Sequence, residues 1–515
     1  MKTKYWSAIG AVMALLLVAA ACSSNTDDTN QQGGNSAEAG MESDGAATED
    51  NERTDDVTAG AEDDEAIEDG QATVDEAAAD EELGINSDNV LIGPSGFKID
   101  LNECPPDWND TQGITDDALT LGTSWPFSGA LAAFGLIADG MENYFNYVNE
   151  AEGGLGGRQM TLVTKDDAYE PARVVANVGE LVEQEEVFSI VTLAGTPGNL
   201  AVYDSLNEQC VPHMFSSTGH PAWGDPNFHP WTTPSFLAYT TEARIWGTFI
   251  EAQVEAGELE APVDVAALVM NNDFGLAYRN EFEVFANDSD VIGEVTFELH
   301  DPAAPNVTNE LTTLGGTDAD VGVLMTTGVY CTQGFTGVAQ ADWDPALKLF
   351  SNTCAGIESF FVPAGTAGVG WSYAGHAKDT ADPAWAEDPF VQLVREQLEG
   401  AGLDPDKSQY GNGWFFAWAN VEAMNSADAL PGGLSRTNLM LATRQMNTKN
   451  PGYFEGVDWI LDGSVDGYPT EAAAMLEYQI PEGEETGSHV IISDIISAEG
   501  QSGLCHFVDG SCINE

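Results

Sequence analysis

Ala118-Leu119-Thr120-Leu121-Gly122-Thr123-Ser124 is an apolar alternating run. The loop Trp125-Pro126-Phe127-Ser128-Gly129 follows it, and then a stretch from Leu131 to Asn149 with Met141, Tyr144, Phe145 and Val148 at helical spacing. These three pieces read as strand, loop and helix. Gly153-Gly154-Leu155-Gly156-Gly157-Arg158 stops the helix, Met160–Thr164 reads as a second strand entering Asp166-Asp167, and a helix over Pro171–Glu185 precedes a buried strand, Val187–Leu193. Strands that alternate with helices form βαβ units, and such units build parallel sheets. The rhythm returns after residue 240. A helix over Thr241–Gln253 leads to a strand, Val263–Met270, and to the loop Asn271-Asn272-Asp273-Phe274-Gly275. Further strands are expected at Val291–Phe297, Val321–Met325 and Lys348–Ser351, and an apolar helix at Trp414–Leu430. Two α/β runs of similar length predict two lobes. Ligands bind open parallel sheets beyond the carboxyl ends of the strands, so the loops Trp125–Gly129, Gly195–Asn199, Phe215–Gly219 and Asn271–Gly275 are the candidate site.

Upstream of this body, Lys2 and Lys4 precede an apolar run, Ala8–Ala21, of about 14 residues, which is short for a membrane span and right for a signal peptide. Leu17-Val18-Ala19-Ala20-Ala21-Cys22 resembles the lipobox of bacterial lipoproteins. That resemblance implies a signal peptide over 1–21, a lipidated Cys22, and a protein anchored on the extracytoplasmic side of the membrane; secretion with Cys22 lost in the leader is the alternative. Residues 23–90 hold 22 acidic residues and one basic residue, Arg53, with almost no aromatics. Such a segment buries too little apolar surface to offset its ordering entropy, so 22–103 is expected to be a disordered acidic tether.

Across 515 residues the net charge is −69. Nucleic acid is excluded as a direct partner, because its recognition needs basic surface to displace counterions from phosphates. Residues 91–515 still carry 63 acids against 13 bases. Repulsion of that size is relieved by screening, which points to a salt-adapted protein. Its melting temperature should therefore rise between low and molar salt, and a flat response would sink the idea.

Apart from Cys22, six cysteines remain, an even number that suggests disulfides in an exported chain. Cys505 and Cys512 flank the turn-like Val508-Asp509-Gly510-Ser511 and are expected to pair in a C-terminal hairpin, 501–515. Among the pairings open to the other four, Cys331–Cys354 and Cys104–Cys210 are favoured. No CxxC pair is present, and His213, His220 and His229 are too irregularly spaced for a helix-borne metal motif, so no metal or other cofactor is expected. The chain also has no GxSxG elbow. Asp273-Phe274-Gly275 stands without the other kinase motifs, and Gly153–Gly157 does not follow a strand as a dinucleotide cradle must.

Several of the loops have a familiar form. Trp125–Gly129 through Ala133-Phe134-Gly135, Val148-Asn149 with Gly153–Arg158, Asp166-Asp167-Ala168-Tyr169, Ala194-Gly195-Thr196-Pro197 and Asn272-Asp273-Phe274-Gly275 occur in that order. Together they resemble the type I periplasmic solute-binding proteins of the Leu/Ile/Val-binding branch, receptors of ABC importers. The resemblance implies two α/β lobes joined by three hinge crossings, with lobe 1 over 104–240 and 376–450 and lobe 2 over 241–375 and 451–500. It implies no enzymatic activity, a small-molecule ligand held between the lobes, an ABC permease as partner, and a monomer. Carried over by position, Phe134 lines the cleft with Ser128 beside it. Gly195 and Thr196, then Ser217 and Thr218, hold a ligand carboxylate, and Phe274 and Tyr330 close over the ligand. One departure stands out. Amino-acid binders place an acidic residue after the strand ending here at Ser351, to pair with the ligand ammonium, whereas this chain has Asn352-Thr353-Cys354. Either Glu358 or Asp273 replaces it, or the ligand is another small carboxylate, amide or aromatic acid meeting Thr353. A ligand sensor on the same fold and an exported α/β hydrolase are the rival readings.

Overall fold

The computed structural model of the chain describes residues 82–501, 503–508 and 510–513. Cys22 and most of the acidic segment lie outside them. The described part opens with three short antiparallel strands, β1 (Gly84–Ile85), β2 (Val90–Ile92) and β3 (Lys98–Asp100). The boundary expected for the tether, residue 103, therefore falls too late. Leu91, Phe97, Ile99 and Leu101 are buried in the main core, and the Arg444 guanidinium lies over the Phe97 ring. The apolar alternation of residues 97, 99 and 101 gives these residues a buried face, which the acidic composition around them conceals.

The first lobe is built on β4 (Ala118–Trp125), β5 (Gln159–Asp166), β6 (Ile190–Val191), β7 (His213–Ser216) and β8 (Thr232–Pro234), all parallel, in the order β5-β4-β6-β7-β8. Helices α1 (Gly135–Ala151), α2 (Pro171–Glu183) and α3 (Thr196–Glu208) provide the crossovers. The chain then crosses into α4 (Tyr239–Ala256) and a second sheet. Strands β9 (Val263–Met270), β10 (Ile292–His300), β11 (Val321–Met325), β12 (Leu347–Phe350) and β13 (Trp371–Gly375) lie in the order β10-β9-β11-β12-β13, again parallel. Helices α5 (Asp273–Asp288), α6 (Thr308–Gly315), α7 (Val329–Gln340) and the single turn α8 (Val362–Ala364) connect them. Each lobe thus repeats one strand order, with its switch point between the first and third strands. Every residue of β9 except Asp264 is buried, as a central parallel strand covered on both faces requires.

A second crossing returns the chain to the first lobe, where α9 (Pro389–Gly400) and α10 (Ser408–Asp428) pack with α1, and α11 (Arg436–Thr443) packs with α10. Asp388 starts α9 by accepting from the N–H groups of Phe390 and Val391, with Pro389 at the first helical position. Helix α10 lies against α1 through Gly140 and Gly413, where a Cβ would run into the facing helix backbone. The third crossing carries the small pair β14 (Asn447–Thr448) and β15 (Trp459–Ile460). It then delivers β16 (Ala472–Gln479), β17 (Ser488–Ile491) and β18 (Ile496–Ser497) antiparallel onto the second sheet. The second and third crossings pair with each other: Ala377 bridges Tyr453, Lys378 N donates to Gly452 O at 2.8 Å, and Phe454 N donates to His376 O at 3.0 Å. Tyr453 Oη reaches the first crossing at Ser235 O, 3.3 Å away.

A terminal hairpin, β19 (His506–Val508) and β20 (Ser511–Ile513), is closed by Cys505–Cys512, and the remaining disulfides join Cys104 to Cys210 and Cys331 to Cys354. Among the described residues no helix is long and apolar enough to cross a membrane.

Candidate ligand-binding cleft

The carboxyl ends of both sheets face a shared cavity of about 170 Å³. Trp125 ends β4, Ala194 and Gly195 follow β6, and Ser217 follows β7. From the second sheet come Phe274 after β9, Thr327 after β11, Asn352 and Thr353 after β12, and Tyr373 within β13. The crossings add Phe236, Tyr239, His376, Lys378 and Tyr453, and the start of α10 adds Ser408, Gln409 and Asn412. The lobes touch around it. Val329 N donates to Ala130 O at 3.3 Å, the rings of Phe134 and Phe360 lie 6.0 Å apart, and the Tyr169 hydroxyl bonds to the Asn272 side chain.

Of the residues expected from the sequence, Phe134, Gly195, Ser217, Phe274 and Thr353 line this cavity. Thr196 and Thr218 do not. Their hydroxyls are fully buried and bond each other at 2.6 Å. The Tyr239 hydroxyl completes this group, bonding both threonines and the Gly219 N–H. The Tyr169 ring likewise lies over Gly195, so that a Cβ there would collide with it. Two tyrosines of this chain therefore cover the loops expected to hold a ligand carboxylate. Ser128 is exposed and turned away, donating to Asp166 Oδ2 at 3.0 Å. Tyr330 lies on the side of α7 that faces the loop after β10, its hydroxyl bonding Pro302 O at 2.6 Å and Ala304 O at 2.8 Å. Neither Glu358 nor Asp273 lines the cavity, and Glu358 sits 3.6 Å from Lys407.

Residues 118–483 match the sequence pattern of the periplasmic binding protein family. The chain belongs to that family. Solved structures agree on the two-lobed type I fold. A fatty acid ABC transporter substrate-binding protein from Thermomonospora curvata superposes with a TM-score of 0.64 at 20% identity, over 77% of this chain and 96% of that one. A branched-chain amino acid ABC transporter protein from Thermus thermophilus with bound valine gives 0.65 at 18% identity, over 75% and 98%. A solute-binding protein from R. palustris in complex with benzoate gives 0.59 at 16% identity, over 76% and 100%. A comparison with curated proteins finds no match.

The electrostatics of this periplasmic binding protein's cleft are set by groups the sequence did not single out. Glu242, in the first turn of α4, is fully buried. It accepts from Tyr278 Oη at 2.6 Å and from the Asn352 N–H at 2.8 Å, and so braces the loop after β12. Burial outweighs those bonds and pushes its carboxyl up to about 8. Asp379, in the cavity wall, is pushed up to about 6 by loss of water, although it accepts from Ser408 Oγ at 2.7 Å. Burial holds His376 down at about 4, leaving a neutral imidazole at pH 7. Lys378 is already committed to Asp388 at 2.7 Å and to Pro451 O at 2.8 Å. Two lining groups keep unspent hydrogen-bonding capacity: Asn352 Nδ2 and His376 Nδ1 are buried without a partner.

Proposed function

We propose that this periplasmic binding protein is an extracytoplasmic receptor, held at the membrane by lipid on Cys22, that works as a monomer and passes a small apolar solute to an ABC permease. The proposed solute carries an aromatic or branched body and one uncharged polar end, such as an amide. What carries this reading is that the grips expected for an amino-acid zwitterion are covered or replaced, and the one carboxyl in the lining among the described residues, Asp379, already accepts from Ser408 Oγ and the Ala381 N–H. Tyr169 and Tyr239 cover the carboxylate loops, and Asn352-Thr353 stand where an acidic residue would meet the ammonium.

The wall that remains suits an apolar body: Trp125, Phe134, Phe236 and Phe274 surround a space on the order of the roughly 150 Å³ cavity known to hold benzene. A carboxylate would enter without a free cation, since among the described residues Lys378 is the only lysine or arginine in the lining and is already paired. Desolvating a charge without a partner is far costlier than desolvating an amide. Small turns of the Asn352 and His376 side chains, whose Nδ2 and Nδ1 are buried without a partner, would present these atoms to the amide. Fold relatives hold valine or benzoate, so the fold alone leaves the ligand open.

Thermal shifts of the full chain in molar salt test this. Ligand at one hundred times its Kd adds about 2.7 kcal/mol to the folded state. Benzamide and related neutral amides should raise Tm, benzoate less, and valine or leucine not at all. Phe134→Ala should weaken the active compound by about 1–3 kcal/mol through lost ring contact. A shift with valine and none with benzamide would reverse the assignment. Unchanged affinity in Phe134→Ala would place the ligand elsewhere.

A further inference from the structure

Away from the cleft, the loop before β8 and the C-terminal hairpin bring two histidines and an aspartate together. Asp225 is 3% exposed, and its Oδ1 accepts the Phe228 N–H at 3.1 Å, which fixes the carboxylate. Its Oδ2 lies 2.9 Å from His229 Nδ1 and 3.0 Å from His506 Nδ1. One ligand atom from each residue falls within 4.8 Å of the other two. Stacking holds both rings in place, His229 on Tyr203 and His506 on Phe228, each with centroids 3.8 Å apart.

We infer that Asp225, His229 and His506 form a binding site for a first-row transition metal ion, Zn²⁺ foremost, that fastens the C-terminal hairpin to the first lobe. Zinc bonds of roughly 2.0–2.1 Å in tetrahedral geometry set neighbouring donors somewhat more than 3 Å apart, so an ion enters after small outward shifts. Two imidazole nitrogens and one carboxylate oxygen suit Zn²⁺ and its neighbours, while Ca²⁺ and Mg²⁺ demand oxygen ligands. The outer partner is also in place. His229 Nε2 lies 2.9 Å from Asp204 Oδ1, an arrangement in which a carboxylate fixes the tautomer and orientation of a metal-bound imidazole. On binding, each Nδ1 gives its lone pair to the ion and any proton it carried goes to solvent, while Nε2–H of His229 keeps its bond to Asp204. The His506 side chain is one-quarter exposed, which leaves room for water as a fourth ligand.

The ion would join residues 281 positions apart. The hairpin it holds is closed on itself by Cys505–Cys512 and docks through Cys505 N to Gly224 O at 3.2 Å, the His506 ring on Phe228, and Phe507 against Trp223 and the His220 ring. None of the three ligands lines the cleft, so the site acts on attachment of the terminus and not on solute capture.

The test uses the full chain, stripped with chelator and titrated with zinc chloride in molar NaCl and excess Mg²⁺, which occupies surface carboxylates. One equivalent of Zn²⁺ should be retained, and Co²⁺ in its place should give the visible absorption of a four-coordinate site. Asp204→Asn should weaken binding by about 10-fold, within the range for loss of an outer partner. His506→Gln lies on a partly exposed hairpin, so it should fold with the metal-free wild-type Tm, yet it should bind zinc more than about 100-fold more weakly, beyond that range. Wild-type stoichiometry in His506→Gln, or no zinc retained by the wild-type chain, overturns the site.

Discussion

Glu242→Gln is expected to raise stability above pH 8 by roughly 4–5 kcal/mol and to change it little below pH 4.5. The wild-type carboxyl titrates near 4.5 when unfolded and at about 8 when folded, because burial disfavours its charged form. Between those values the folded chain holds a proton that the unfolded chain has released. Stability from this group is therefore fully present below pH 4.5 and lost as pH rises through about 8. A tenfold change in proton affinity is worth about 1.4 kcal/mol, which sets the size of the effect. Glutamine mimics the protonated side chain: its carbonyl still accepts from the Asn352 N–H, and its amide donates to the Tyr278 oxygen, whose own proton turns to Ser351 Oγ, 2.9 Å away. Asp379, Asp466 and Glu471 are also pushed up by burial and give the wild-type chain a slope of the same sign. They are present in both proteins and cancel in the difference. Denaturation of the two chains from pH 4 to 9 is the measurement, and parallel curves would show that Glu242 is not held protonated.

The position of Glu242 ties this titration to the cleft. It follows the first crossing and supports the backbone of Asn352, so the hinge and the loop bearing an unspent amide meet on one carboxyl. A ligand that closes the cleft favours the state in which this contact is formed, by no more than its differential affinity for that state. Ligand affinity should survive in Glu242→Gln, since the Asn352 contact persists.

How much of this was legible in the sequence depended on the range of the signal. The strands Val263–Met270 and Val321–Met325 are found where the apolar runs place them, because a central parallel strand is buried on both faces and is apolar nearly throughout. Cavity residues that follow a strand directly, such as Gly195, Ser217 and Phe274, were readable for the same reason. Thr196 and Thr218 are suggested by position, but position does not reveal that a tyrosine from a later crossing, Tyr239, fills the space between their loops. His376, Lys378 and Tyr453 enter the cleft because two distant crossings pair, and no local periodicity marks such a pairing. The Asp225, His229 and His506 cluster escaped for a like reason: its third member is 281 residues away from the first. The buried edge of the N-terminal sheet did carry a signal, the alternation Phe97, Ile99, Leu101, which the acidic composition of its neighbours outweighed.

Replacing both cysteines of the Cys104–Cys210 pair with serine should cost about 5 kcal/mol of stability, the largest loss among the disulfides. The pair joins positions 106 residues apart, against 23 for Cys331–Cys354 and 7 for Cys505–Cys512. In the chain-entropy account the closed loop restricts the unfolded chain, by about 5, 3 and 2 kcal/mol respectively. The native surroundings favour the same ranking. Cys104 fastens the N-terminal sheet region to the first lobe, where Trp108 Nε1 donates to Cys210 O at 2.8 Å and the Trp108 ring meets Trp231 edge-on at 5.8 Å. The hairpin pair closes a terminal element that can detach without opening either lobe, so its loss should move global unfolding least of the three. The middle pair has a different consequence. Cys354 follows Asn352 and Thr353, and its bond to Cys331 holds that loop to the first turn of α7. Loss of Cys331–Cys354 should therefore weaken ligand binding more, relative to its cost in stability, than loss of Cys104–Cys210. Denaturant midpoints and ligand affinities of the three double-serine chains separate these effects. Equal losses in all three would show that native packing, and not restriction of the unfolded chain, sets the contribution of each bond.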